Sequence, residues 1–171
     1  MRTVYFAIVL ALASGLTASV GLAQSASTTG PYMVLKTVKA GTDGGMDYIS
    51  ADVENRRLYI PRSGAMGHLM VFDLDTLDSV GGIDIVKSGG AVADPKTHHG
   101  FSTTKPVTMW DATTMKVMKT IDIDSRPDGI MFDPFNERVW VLSHTPPYAV
   151  VIDAKDGTVV GTVDLVGTAE Q

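Results

Sequence analysis

The side chains best suited to chemistry are four histidines, of which His98 and His99 are adjacent while His68 and His144 stand alone. Protein zinc sites place His or Cys at short, fixed spacings such as His-x-His or His-Glu-x-x-His. The chain has none of these spacings and no cysteine. The sequence therefore predicts no metal site, and the absence of cysteine excludes thiolate chemistry and disulfide bonds.

Other catalytic signatures are also missing from the sequence. There is no Gly-x-Ser-x-Gly elbow for a serine nucleophile, no Cys-x-x-Cys-His haem attachment and no Gly-rich phosphate loop. We therefore predict no catalytic residue and no cofactor from the residues alone.

Regularly spaced aspartates form two series. In the first, successive members are 42 and 39 residues apart: Asp52, Asp94 and Asp133. In the second they are 38 and 42 residues apart: Asp73, Asp111 and Asp153. Each aspartate is followed by turn-forming residues, and a short carboxylate there accepts hydrogen bonds from backbone N–H groups two residues on. A feature that recurs in every repeat is architectural, so we predict that these aspartates fix turns rather than catalyse a reaction.

The elements around these aspartates read as repeated sets of four short strands. In residues 126–165, apolar runs alternate at the strand period of two and are separated by turns, including the hairpin signal Asp156-Gly157. Two looser copies precede this set. A period near 40 with four strands per unit is typical of a β-propeller blade, so the sequence predicts an all-β fold with blades at about 46–85, 90–123 and 127–165. Trp110, Trp140 and most methionines are predicted to pack between blades.

The first residues differ in composition from the rest of the chain. Arg2, an uncharged apolar run and small residues before Gln24 predict a signal peptide over residues 1–23, with a membrane anchor as the alternative. Cleavage would leave 148 residues with a net charge of −6 and a polar, flexible lead-in at 24–31. We expect a periplasmic or secreted protein without a membrane span after cleavage. Its negative charge, with Arg56-Arg57 as an isolated basic pair, argues against nucleic-acid binding.

The amino-acid sequence of the repeats resembles that of a known family. Residues 149–163 resemble the third and fourth strands of the YVTN-type β-propeller repeat, and residues 47–62, Gly100-Phe101-Ser102 and Pro127-Asp128 resemble exported bacterial proteins of the YncE type. This resemblance covers residues 32–171 and implies a seven-bladed ring, of which the chain supplies three blades. The remaining blades of the same chain would then be partners. It also gives residues 32–38 a role as an N-terminal strand that closes the ring on the last blade.

In such a blade, the loop after the second strand and the loop between blades open on the same face. This loop face is where we predict binding groups to gather, and it offers six polar candidates: Asp47, Arg62, Lys105, Arg126, Asp128 and His144. The expected partner is an unidentified protein, peptide or small molecule.

Two functions remain open. The absence of a catalytic constellation favours an exported binding or scaffold propeller. Alternatively, the resemblance allows part of a propeller enzyme, such as a lactonase or the propeller subunit of a quinone- or haem-dependent dehydrogenase. For either function, an open arc of blades would expose one apolar face of the first blade and one of the third, so we expect the mature piece to self-associate.

Overall fold

The computed structural model describes residues 30–41, 44–62, 68–85 and 87–169. The predicted signal peptide and almost all of the predicted lead-in lie outside this part of the chain. The chain divides into two compact units, Met1–Leu35 and Lys36–Gln171. In the first, residues 30–35 are exposed and carry no regular structure. All named strands belong to the second unit.

Twelve strands form three four-stranded antiparallel sheets. Sheet 1 consists of β1 (Ser50–Asp52), β2 (Arg57–Pro61), β3 (Leu69–Asp73) and β4 (Ser79–Ile83). Sheet 2 consists of β5 (Ala91–Asp94), β6 (His99–Ser102), β7 (Val107–Asp111) and β8 (Lys116–Ile121). Sheet 3 consists of β9 (Pro127–Asp133), β10 (Arg138–Ser143), β11 (Ala149–Asp153) and β12 (Val159–Val163). In each sheet the strands pair in chain order, which confirms the predicted all-β organisation in three four-stranded units.

The three sheets repeat the same register. Arg57, His99 and Arg138 pair with the aspartates that end the third strands, Asp73, Asp111 and Asp153. In sheets 1 and 3 this pairing is also an ionic contact, at 3.5 Å for Arg57 and 2.6 Å for Arg138. The basic pair at residues 56 and 57 thus serves the fold, because Arg56 likewise forms an ion pair with Asp75.

The aspartates fix the turns, as predicted. Asp111 Oδ1 accepts hydrogen bonds from the backbone N–H groups of Thr113 at 2.9 Å and Thr114 at 2.6 Å. Asp73 makes the matching pair of bonds in sheet 1. The remaining four aspartates of the two series each accept a backbone N–H in the turn that follows. Because these N–H groups stabilise the carboxylate, with the donor at residue 114 contributing most, they lower the pKa of Asp111.

The core lies between the sheets. Between sheets 1 and 2, buried Tyr59 and Trp110 meet edge to face, with ring centroids 5.0 Å apart. Between sheets 2 and 3, Phe101 and Met109 pack in one cluster with Val139 and Ile152. Trp110 therefore packs between sheets as predicted, whereas Trp140 is half-buried.

The closing strand at residues 32–38 stays a prediction, because its expected partner is the last blade of the ring and not one of the three described sheets. Residues 32–38 carry no strand, since an extended segment needs a paired neighbour for ladder hydrogen bonds and no described strand pairs with it. Instead, the ammonium of Lys36 lies 3.0 Å from the Asp78 carboxylate, and Gly41 lies against Met70. Residues 36–41 thus run along the face of sheet 1 that points away from sheet 2, where Phe72 is only 3% exposed. That face is therefore less open than predicted.

The face of sheet 3 that points away from sheet 2 is more exposed than the outer face of sheet 1. Met131 is 53% exposed and pairs across the strands with half-buried Trp140. At the other edge of sheet 3, β12 is exposed along its length.

The described part of the chain contains no helix with the length and apolar character required to cross a membrane.

Candidate functional site

A cavity of about 400 Å³ lies where loops from all three sheets meet. One part of its wall precedes β1, and another is the loop before β5. The rest follows β6, lies just before β9 and in its first two residues, or follows β10. Nine residues line it: Asp47, Lys87, Ser88, Gly89, Thr103, Arg126, Pro127, Asp128 and His144. Four of the six predicted site residues are therefore brought together: Asp47, Arg126, Asp128 and His144.

Asp128 contacts two other side chains near the cavity. Its Oδ2 atom lies 3.0 Å from Nε2 of His144 and accepts a hydrogen bond from the Tyr48 hydroxyl at 3.3 Å. The Asp128 and His144 side chains are 19% and 33% exposed. The carboxylate is thus positioned by groups from sheets 1 and 3 while still reaching the cavity.

The loop before β5 is held from both sides. Its carbonyl at Gly89 accepts a hydrogen bond from the backbone N–H of Tyr48 at 3.0 Å. On the other side, the Gly89 N–H donates to the carbonyl of Thr103 at 3.2 Å, and the Gly90 N–H donates to the Thr103 hydroxyl at 2.7 Å. These bonds fix the floor of the cavity without a ligand.

Gly89 and Gly90 lie close to the next sheet. A Cβ atom at position 89 would lie 3.0 Å from the carbonyl oxygen of Asp128 and 3.3 Å from its Oδ1 atom. At position 90 a Cβ would lie 2.9 Å from a methyl group of Ile130. The glycine pair therefore lets the loop before β5 approach Asp128 and Ile130 closely.

The two cations of the wall, Lys87 and Arg126, are both exposed. Within the described part of the chain, neither side chain makes an ion pair or a side-chain hydrogen bond. The Arg126 backbone is nevertheless fixed, because its N–H donates to the Thr145 hydroxyl at 2.9 Å and its carbonyl accepts from the His144 N–H at 3.0 Å.

The other two predicted site residues lie elsewhere. Arg62 donates from its guanidinium to the carbonyl of Gly44 at 2.9 Å and does not line this cavity. Lys105 donates to the carbonyl of Ser125 at 2.8 Å and lines a separate cavity of about 240 Å³ beside Pro106. Both side chains therefore tie loops together rather than join the cavity.

A third cavity, of about 310 Å³, lies along the innermost strands of the three sheets and is mostly apolar. Its polar edge is Asp52, which accepts a hydrogen bond from the Tyr59 hydroxyl at 3.3 Å. Burial and the nearby carboxylate raise the pKa of Tyr59, so this hydroxyl stays protonated as a donor. Asp52 also caps the following turn through Asn55, so its contacts are structural.

Sequence reasoning missed Tyr48 and Lys87 as site residues. Tyr48 stands in a stretch that reads as strand, and its contact with Asp128 spans 80 residues of chain. Lys87 lies in a loop that was expected on this face, and this position was the signal that could have identified it as a site residue. Among the described residues, no group of three or more His, Asp or Glu side chains is placed to hold a metal ion.

Comparison with known proteins shows the fold. No family model and no characterised protein sequence matches the chain. Among solved structures, the chain is similar to Kuenenia stuttgartiensis hydrazine synthase, with a TM-score of 0.66 and 16% identity over 80% of this chain. It is also similar to the protein U3-55K, with a TM-score of 0.56 and 11% identity over 72% of this chain. The chain spans 40% of the length of each of these structures. At such identities the likeness shows the fold alone, and the three sheets are blades of a β-propeller.

Proposed function

We propose that this protein is an exported propeller of the YVTN type that binds a small ligand in the 400 Å³ cavity on its loop face. The observation that carries the proposal is the convergence of Asp47, Arg126, Asp128 and His144 on one cavity built by three sheets. A preformed concave site with a few converging polar groups is the usual form of a ligand site.

The hydroxyl groups in the described wall favour binding over nucleophilic catalysis. Ser88 donates to the carbonyl of Gly90 at 2.8 Å, and the Thr103 hydroxyl accepts the Gly90 N–H at 2.7 Å. Both residues are buried. They are therefore engaged in holding the loop, which leaves the charged side chains as the groups available to a ligand.

One observation favours the alternative, that the propeller belongs to an enzyme. The His144 imidazole lies 3.0 Å from the Asp128 carboxylate, an arrangement that orients the ring and fixes its tautomer in many general bases. A substrate proton within reach of the free ring nitrogen would be needed to convert this binding site into a catalytic one.

The experiment is ligand-detected NMR with a library of small metabolites, comparing the wild type with Arg126→Trp. The indole would occupy the cavity mouth, whereas the backbone bonds of residue 126 are retained. Lys155→Trp, on an exposed turn away from the cavity, is the matched control. Compounds that bind the wild type and the control but not Arg126→Trp support the proposal; equal binding to all three proteins overturns it.

The export component of the proposal rests on the composition of residues 1–23. We expect the mature protein, recovered from the periplasm or medium of a bacterial host, to begin at Gln24. Mass spectrometry of the intact protein checks this, and retention of residues 1–23 in a cytoplasmic fraction would contradict it.

A further inference from the structure

We infer that the ligand of this cavity is a small organic anion, held by Lys87 and Arg126; this inference rests on the proposed binding function. The two side chains approach the cavity from different sheets, one before β5 and the other before β9. Two cations that line one cavity can bind a carboxylate or a phosphate through charge-assisted hydrogen bonds.

The availability of these two cations is the first support. Both are exposed, and in the described part of the chain neither has an ionic partner. Among the described residues, some surface cations are paired with carboxylates, namely Lys36, Arg56 and Lys96, whereas exposed Lys116 and Lys155 are not, so it is the position in the cavity wall that distinguishes Lys87 and Arg126. Lys87 and Arg126 are thus held on fixed loops with their charges uncommitted, as a site for an anion requires.

The state of Asp128, one of the two carboxylates in the wall, the other being Asp47, is the second support. Asp128 already accepts the Tyr48 hydroxyl and contacts His144, so part of its charge is offset inside the wall. This reduces the repulsion that an incoming anion would meet. It also reduces the attraction that Asp128 exerts on Lys87 and Arg126, which do not pair with it.

The size of the cavity selects the kind of anion. About 400 Å³ lies within the range of roughly 300 to 1,000 Å³ found for metabolite sites. Because the whole chain carries a net charge of −5, an extended polyanion such as a nucleic acid would be repelled outside the cavity, whereas a small anion reaches the two cations.

The test uses isothermal titration of the protein at low ionic strength with two anions, glutarate and glycerol 3-phosphate. Their neutral counterparts are glutaramide and glycerol. The variants are Lys87→Gln and Arg126→Gln, which remove one charge each and retain a long polar side chain. Lys116→Gln combined with Lys155→Gln removes two exposed charges outside the cavity and controls for the general field of the protein.

We expect at least one anion to bind, with affinity lowered about tenfold by each cavity substitution and little changed in the double control. Affinity should also fall as salt is added. Which anion binds more tightly shows whether the site prefers a carboxylate or a phosphate. The inference is overturned if the neutral counterparts bind as tightly as the anions, or if the double control loses as much affinity as the cavity variants.

Failure of this inference is distinguishable from failure of the proposed function. If Arg126→Trp abolishes the binding of library compounds while Lys87→Gln and Arg126→Gln leave it unchanged, the cavity binds ligands but not through its cations. If Arg126→Trp has no effect on any compound, the proposed function itself falls.

Discussion

Gly100 is the position at which the fold leaves least room for change. In β6 it faces the indole of Trp110, and a Cβ atom at residue 100 would lie 2.3 Å from three atoms of that ring. Ordinary contact begins near 3.4 Å, so Gly100→Ala would require the ring to retreat by 1.1 Å, the difference between these distances. The backbone of residue 100 is paired in the sheet and cannot yield instead.

The ring has no room to retreat. Trp110 is fully buried against Tyr59, and its indole N–H donates to the Ser102 hydroxyl at 2.8 Å. A displacement of 1.1 Å stretches that hydrogen bond beyond its useful range. Overpacking costs about 1–3 kcal/mol, and a buried donor left without an acceptor costs about 1–3 kcal/mol. We therefore expect Gly100→Ala to lower the free energy of unfolding by about 2–6 kcal/mol.

Urea unfolding followed by tryptophan fluorescence, at two protein concentrations, measures this loss. Gly161→Ala is the matched control, because a Cβ there meets no atom within 4 Å. Adding Trp110→Leu to Gly100→Ala removes the ring that clashes, so the double variant should be less destabilised than the sum of the single variants by about 1 kcal/mol or more. A Gly100→Ala protein within about 0.5 kcal/mol of the wild type would refute the reasoning, as would strict additivity in the double variant.

Three further predictions concern turns, pH and association. His98 is exposed with φ of 58°, so His98→Gly should raise the free energy of unfolding by about 0.5–1 kcal/mol, seen as a higher urea midpoint. The lowered pKa of Asp111 means that its stabilising contribution is complete above the unfolded value of 3.8 and is lost as pH falls through the folded value; Asp111→Asn should flatten the stability curve below pH 4, and an unchanged acid slope would contradict this. Met131→Lys, on the open face of sheet 3, should shift the protein towards monomer in size-exclusion chromatography more than Phe135→Lys at an exposed hairpin tip.

The fold was predictable because its signals are local. An aspartate that ends a strand accepts N–H groups only two or three residues away, as Asp73 and Asp111 do, so its spacing in the sequence reports the turn directly. Strand alternation works in the same way. Alternation at residues 32–38 is not sufficient for a strand, since a strand forms only where a second strand offers its hydrogen bonds, and the expected partner is the last blade of the ring.

The site was predictable in part, for a geometric reason. Residues that precede or begin a first strand and residues that follow a second strand lie on one face, which is why Asp47, Asp128 and His144 converge. The same rule also included Arg62 and Lys105, because it assigns a face but not a position on that face. Which loop residues point into the cavity depends on packing between sheets, and the sequence does not contain that information in any local pattern.

The cavity depends on the correct assembly of all three sheets. Tyr48 belongs to the segment that leads into sheet 1, yet its N–H holds the loop before sheet 2 and its hydroxyl holds Asp128 in β9, the first strand of sheet 3. A ligand bound among these loops contacts only the assembled state, so its binding free energy adds to the stability of the packed sheets. Conversely, any substitution that loosens the packing between sheets should weaken binding without touching the cavity. A Gly100→Ala protein can be studied under conditions in which it is fully folded. If its free energy of unfolding is lower but its ligand affinity is unchanged there, stability and affinity are separate properties, and the loops hold one another without the core beneath them.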